Sequence, residues 1–130
     1  LHHIVRLLGL EGVEILTARV EDVAQMPEHR EQYDLVVARA VAHMCILAEY
    51  CLPLCRVGGR VVVQKGSEGA EEAQTALPAI EFLGGTLAGV KSLDVPELPP
   101  GRTLVVIDKV AKSPEGYPRR PGMPAKRPLC

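Results

Sequence analysis

Tyr33-Asp34-Leu35-Val36-Val37-Ala38 is the stretch from which the fold is read. Valines flanked by leucine and alanine, with a single acid near the start, predict a β-strand buried on both faces. After it, the apolar run Met44 to Leu52 suits a buried helix interrupted near Pro53. Gly58-Gly59 turns the chain into another strand, Arg60 to Gln64, which closes at Lys65-Gly66. Ala73, Ala76, Leu77, Ile80 and Leu83 then recur at helical spacing, with Glu71, Glu72 and Glu81 off that face. Pro78 predicts a kink or split there, and Gly84-Gly85 ends the helix. Thr86 to Leu93 reads as a weaker strand, Pro96 to Gly101 as a turn-rich link, and Arg102 to Lys109 as a strong last strand. Working back from Tyr33, a charged loop (Glu28 to Gln32) follows a helical turn, Val20 to Met26, that Pro27 ends. Val13 to Thr17 reads as a short strand, and Leu1, Ile4, Val5 and Leu8 as a helix stopped at Gly9. Strands alternating with helices predict an α/β sheet, and two final strands joined without a helix predict an antiparallel edge.

The chain of 130 residues, 47% of them hydrophobic, suffices for one domain with a core. Its net charge of -1 hides an uneven spread. From Lys109 to Cys130 there are six basic residues against Glu115 alone, leaving about +5 on this segment and about -6 on the rest. Five prolines, at 114, 118, 121, 124 and 128, predict an extended segment with no core of its own. The expected organisation is a domain over residues 1–109 and a basic Pro-rich tail over 110–130. Cys45, Cys51, Cys55 and Cys130 lack the paired short spacings of a zinc site and read as buried thiols, not a disulfide framework. No His, Cys and carboxylate set has metal-ligand spacing, so no metal is expected. No apolar run reaches the roughly 18 residues of a membrane span.

Four blocks in order carry a family resemblance: Tyr33 to Ala42, Glu49-Tyr50-Cys51-Leu52-Pro53-Leu54, Val57-Gly58-Gly59-Arg60 with Lys65-Gly66, and Tyr117 to Lys126. Together they resemble the RsmG family, also called glucose-inhibited division protein B. The resemblance covers nearly the whole chain. It implies a Rossmann-like class I methyltransferase sheet that uses S-adenosyl-L-methionine to methylate N7 of a guanine in 16S rRNA. It also implies a cytoplasmic monomer whose partner is that RNA or the small ribosomal subunit. The family's glycine-rich cofactor loop and two central strands would precede Leu1, so the sheet is expected to be incomplete at its N-terminal side, and the 13–17 strand to lack its neighbours.

Under this resemblance Val20, Glu21 and Arg39 are the expected cofactor contacts. A backbone N–H beside a carboxylate can pair with the acceptor N1 and the amino group of adenine, and Val20-Glu21 supplies both. Glu21 and Asp22 equally suit the start of a helix by charge alone. Arg39 follows the Tyr33 to Ala38 strand, where a guanidinium can clamp a methionine carboxylate or a phosphate, or simply pair with a neighbouring acid. Lys65 ends the next strand, either against RNA or in solvent. In the tail, Arg119, Arg120, Lys126 and Arg127 suit RNA phosphates, and Tyr117 suits stacking on a base. A solvated tail, or one folded back on the acidic body, remains the alternative. His43 has no evident role.

No catalytic residue is expected. Guanine N7 carries a free in-plane lone pair, so no base has to remove a proton, and alignment in a dry pocket supplies most of the rate. Two other readings stay open: a non-catalytic piece of the same fold, and a dinucleotide-dependent oxidoreductase of similar topology, against which the basic tail argues.

Overall fold

In the computed structural model, which describes residues 1–39 and 42–130, period-two alternation builds the sheet. Val61, Val63 and Lys65 are buried on one face of a strand, as are Thr103, Val105, Ile107 and Lys109 on another. The four strands are β1 (Tyr33–Arg39), β2 (Cys55–Lys65), β3 (Gly85–Ser92) and β4 (Thr103–Lys109), in the order β1-β2-β4-β3. β1 and β2 are parallel, with Arg39 opposite Gln64. β4 runs antiparallel to both β2 and β3. The expected antiparallel pair is present, but the last strand lies inside the sheet and β3 forms the edge.

The helices are α1 (His2–Leu7), α2 (Val20–Val23), α3 (Met44–Cys51), α4 (Gly69–Thr75), α5 (Leu77–Phe82) and α6 (Met123–Lys126), with a 3-10 turn at Leu52–Leu54. The split foreseen at Pro78 falls at Ala76, with Pro78 in the first turn of α5, where its missing N–H leaves no acceptor unserved. Met44, Leu47, Ala48, Leu52, Ile80 and Leu83 pack from the helices onto Val61, Val63, Val105 and Ile107, and this is the core.

Several expectations are corrected. β1 is not buried on both faces: Val36 and Ala38 meet the core, while Leu35 is 56% and Val37 68% exposed. A valine-rich run shows that a strand can be buried, not that a second layer exists to bury it. Residues 13–17 form no strand, and Val13 and Leu16 are about half exposed; no described segment offers them a ladder. Gly58-Gly59 is not a turn before a strand but an irregularity inside β2, with the register against β1 shifting between Tyr33 and Leu35. Gly58 has φ +91, which only glycine adopts freely. A Cβ on Gly59 would come within 2.6 Å of the Asp34 carbonyl oxygen.

The tail is not extended and coreless. Ser113, Pro118 and Pro124 are buried, and Tyr117 and Leu129 pack against the core. Cys45 and Cys130 form a disulfide across 85 residues, leaving Cys51 and Cys55 as buried free thiols. This corrects the reading of four thiols. Sequence spacing shows nothing of a pairing made by the tail folding back onto α3.

Candidate functional site

The parallel strands β1 and β2 deliver Arg39 and Lys65 to the same edge of the sheet, and their environments differ sharply. Arg39 is exposed, at the rim of a shallow cavity of about 220 Å³ lined by Val37, Ala38, Val62, Gln64 and Leu104. Its guanidinium is available to an anionic ligand at an apolar wall. Lys65 is 7% exposed; its Nζ donates to the Ala42 carbonyl at 2.8 Å and lies 2.9 Å from Glu72 Oε1. The same carboxylate oxygen accepts the Met44 N–H at 3.0 Å. Lys65 and Glu72 together therefore hold the start of α3, and the lysine is neither solvated nor placed to meet RNA. His43 completes that helix start: its Nδ1 accepts the Cys45 N–H at 3.1 Å. An N-cap acceptor satisfies a donor that has no partner within the helix.

Val20 and Glu21 open α2. As the first helical residue, Val20 has a backbone N–H with no intrahelical acceptor, free in principle for a ligand acceptor. The Glu21 side chain is a different matter. It is 1% exposed, and Oε2 accepts from Arg19 Nη2 at 2.8 Å and from the Gly122 N–H at 2.9 Å. Burial pushes its carboxyl up, but the hydrogen bonds from Arg19 and the Gly122 amide outweigh that and leave it below the usual carboxylate range. The carboxylate is charged and buried, with both close donors on Oε2 and only Arg19 Nε, at 3.4 Å, on Oε1. Among the described residues, no hydrogen bond or ion pair joins Arg39 to Val20 or Glu21.

The tail candidates divide into anchors and exposed cations. The Arg119 backbone N–H donates to Glu49 Oε2 at 2.7 Å, and its guanidinium reaches both Glu49 oxygens, at 3.1 and 2.7 Å. Glu49 is 0% exposed. Arg119 also lies 5.8 Å from the centre of the Tyr117 ring, which meets Phe82 edge-on at 5.0 Å between centroids. Tyr117 is thus half-buried packing, not an open stacking platform. Arg120, Lys126 and Arg127 are exposed.

The residues that hold the tail were missing from the sequence reading. Arg30 donates to the carbonyls of Ser113, Pro114 and Tyr117, and Gln25 to that of Pro118. Lys109, 1% exposed, donates to Glu31 at 2.8 Å, to Ser113 Oγ at 3.1 Å and to the carbonyl of Cys55 at 3.0 Å. Signals existed for two of them. Glu49 interrupts an apolar helix, and Lys109 sits in register with the buried alternation of β4; a buried charge of either kind requires a partner.

The family model of rRNA small subunit methyltransferase G matches residues 1–99. This chain belongs to that family. Among curated relatives, the Ribosomal RNA small subunit methyltransferase G of Roseiflexus sp. (strain RS-1) is 54% identical over 129 residues, 99% of this chain and 55% of the relative. That of Pelotomaculum thermopropionicum is 53% identical over 122 residues, 94% of this chain and 51% of the relative. The chain spans about half the length of these relatives. Among solved structures, an rRNA methylase from Streptococcus thermophilus matches with a TM-score of 0.58 at 16% identity, over 85% of this chain and 65% of its own. That likeness shows the expected class I methyltransferase fold. The methyltransferase G family assignment also sets aside the oxidoreductase alternative.

Proposed function

We propose that this chain is part of an S-adenosylmethionine-dependent enzyme that methylates N7 of a guanine in 16S rRNA, as free RNA or in the small ribosomal subunit. By the family resemblance alone it acts as a cytoplasmic monomer. No described helix is long and apolar enough to cross a membrane. The observation that carries the reading is 54% identity across 99% of the chain to a relative named Ribosomal RNA small subunit methyltransferase G.

The residues present fit the cofactor in part. The exposed Arg39 guanidinium beside an apolar cavity suits a carboxylate, and the first N–H of α2, at Val20, suits a ring acceptor. The Glu21 side chain fits less well as an acceptor, because it is 1% exposed and its Oε2 already serves Arg19 and Gly122; the backbone at the start of α2 is the better contact. When bound, S-adenosylmethionine supplies an electrophilic methyl group on a sulfonium. The guanine lone pair attacks without losing a proton, so the chain's work is to orient, exclude water and hold charge. Arg120, Lys126 and Arg127 supply phosphate contacts outside the pocket. Lys65 and Tyr117 act as internal supports of the site, and Arg119 as the tail's anchor.

Isothermal calorimetry with S-adenosylmethionine tests the reading on this chain. Micromolar binding is expected, and Arg39→Ala should weaken it by about 2 kcal/mol, the scale of one lost charge-assisted contact. Absence of any heat would favour a non-catalytic piece of the fold, and unchanged affinity in the variant would remove Arg39 from the site.

A further inference from the structure

The tail presents its cations on a closed loop whose entry is tied to one buried carboxylate, Glu49. Glu49 lies within α3 among Ala48, Cys51 and Leu47, all buried. It receives three donors, all from Arg119: the backbone N–H, Nε and Nη2. Arg119 Nη2 donates in addition to the Arg127 carbonyl at 2.6 Å. Arg119 therefore joins the entry of segment 119–127 to the body, beside Gln25 on the Pro118 carbonyl and Arg30 on the Tyr117 carbonyl, and ties the exit of the segment back to its entry. Inside the loop, Met123 N–H donates to the Arg120 carbonyl, Lys126 N–H to that of Gly122, and Arg127 N–H to that of Met123. Gly122, at φ +89, turns its N–H onto Glu21 Oε2. What remains outward is Arg120, Lys126 and Arg127, exposed on a backbone with little freedom left.

We propose that Glu49 is a positioning residue for RNA contact: it touches no nucleic acid, but seats Arg119 so that Arg120, Lys126 and Arg127 meet phosphates as an ordered array. The inference rests on the reading that the tail binds 16S rRNA. Three cations on a fixed loop bind with less ordering cost than the same cations on a free Pro-rich tail. Arg119 itself is excluded from direct phosphate binding, because leaving Glu49 would strand a buried charge.

Fluorescence anisotropy with a labelled 16S rRNA transcript, over a salt series, provides the test. Three proteins are compared: wild type, Glu49→Gln, and the triple variant Arg120→Ala, Lys126→Ala, Arg127→Ala. Each phosphate contact adds about 0.7 to 0.9 to the slope of log affinity against log salt. The triple variant should therefore flatten the slope by about 2, and Glu49→Gln should approach it, with affinity down about tenfold and circular dichroism unchanged. A merely structural carboxylate would not alter the salt slope. Arg119→Lys keeps the charge but loses the planar fork, and approaches the same contact from its exposed side; it should fall in the same direction even if Glu49→Gln fails to fold. If the triple variant loses RNA while Glu49→Gln and Arg119→Lys keep wild-type affinity and slope, the positioning role is wrong and the tail reading stands. If the triple variant binds as wild type does, the tail reading fails and the inference goes with it.

Discussion

Burying a carboxylate is costly unless donors replace the water it loses, and Glu49 and Glu21 are matched by donors from the tail. For Glu49, the partner Arg119 has a side chain only 22% exposed, whereas in the Arg56–Asp34 pair the side chains are 48% and 83% exposed. Arg119→Ala should destabilise the chain by about 3 kcal/mol, since it strands a buried charge. Arg56→Ala should cost at most about 1 kcal/mol. Urea denaturation of the two variants measures the contrast, and equal costs would mean that Glu49 is hydrated. The pH dependence follows from Glu21 and Glu31. Burial alone raises each carboxyl, but Arg19 and Gly122 for the first, and Lys109 and the Ser113 amide for the second, leave both below the ordinary range. A lowered folded value means that the unfolded chain binds more protons in acid. The stabilisation is complete above the ordinary glutamate value and is lost as pH falls through the lower folded values. The urea midpoint should therefore drop below about pH 4.3, and Glu31→Gln should shrink that drop.

The elements show which parts of the fold were legible in the sequence and which were not. The runs Tyr33 to Ala38 and Arg102 to Lys109 read as strands, and Met44 to Leu52 as a buried helix. β1, β4 and α3 match them to within a residue at each end, because the local pattern determines their state. Local pattern does not reveal what lies across a face. Leu35 and Val37 therefore read as buried and are exposed, and residues 13–17 have strand composition but no ladder. At the site, Arg39 emerged where a strand end puts it, while Lys65 looked equivalent and is buried against Glu72, a partner supplied by α4. The seam between α5 and the sheet was also legible only as a stop signal, Gly84-Gly85. Its packing reason is spatial: a Cβ on Gly85 would lie 2.8 Å from Ile107 Cγ2 and 3.0 Å from Ile80 Cγ2. Gly85→Ala should cost about 1–3 kcal/mol by overpacking, whereas Gly89→Ala, with nothing within 4 Å of the new Cβ, should cost far less. Thermal melts of the pair decide this, and equal melting temperatures would show that the seam yields.

At the scale of the whole molecule, a tail (residues 110–130) of about +4 closes over a body of about -5, and its contacts are too specific for charge balance alone. Arg119 fills Glu49, Gly122 caps Glu21, Arg30 gathers three tail carbonyls, and Tyr117 packs on Phe82. Removing residues 117–130 would strip the donors from Glu49, take one from Glu21, and uncover the apolar surface beneath Tyr117 and Leu129. With about 3 kcal/mol at stake for a stranded buried charge, the melting temperature should fall by at least about 10 °C. Arg120→Ala, Lys126→Ala and Arg127→Ala together should shift it by only about 2 °C, because exposed side chains carry little of the stability. Differential scanning calorimetry of the two variants separates the tail as structure from the tail as a binding surface. A truncated chain that melts with the full one would mean that the segment rests on the body without supporting it, and that Glu49 and Glu21 find water in its place.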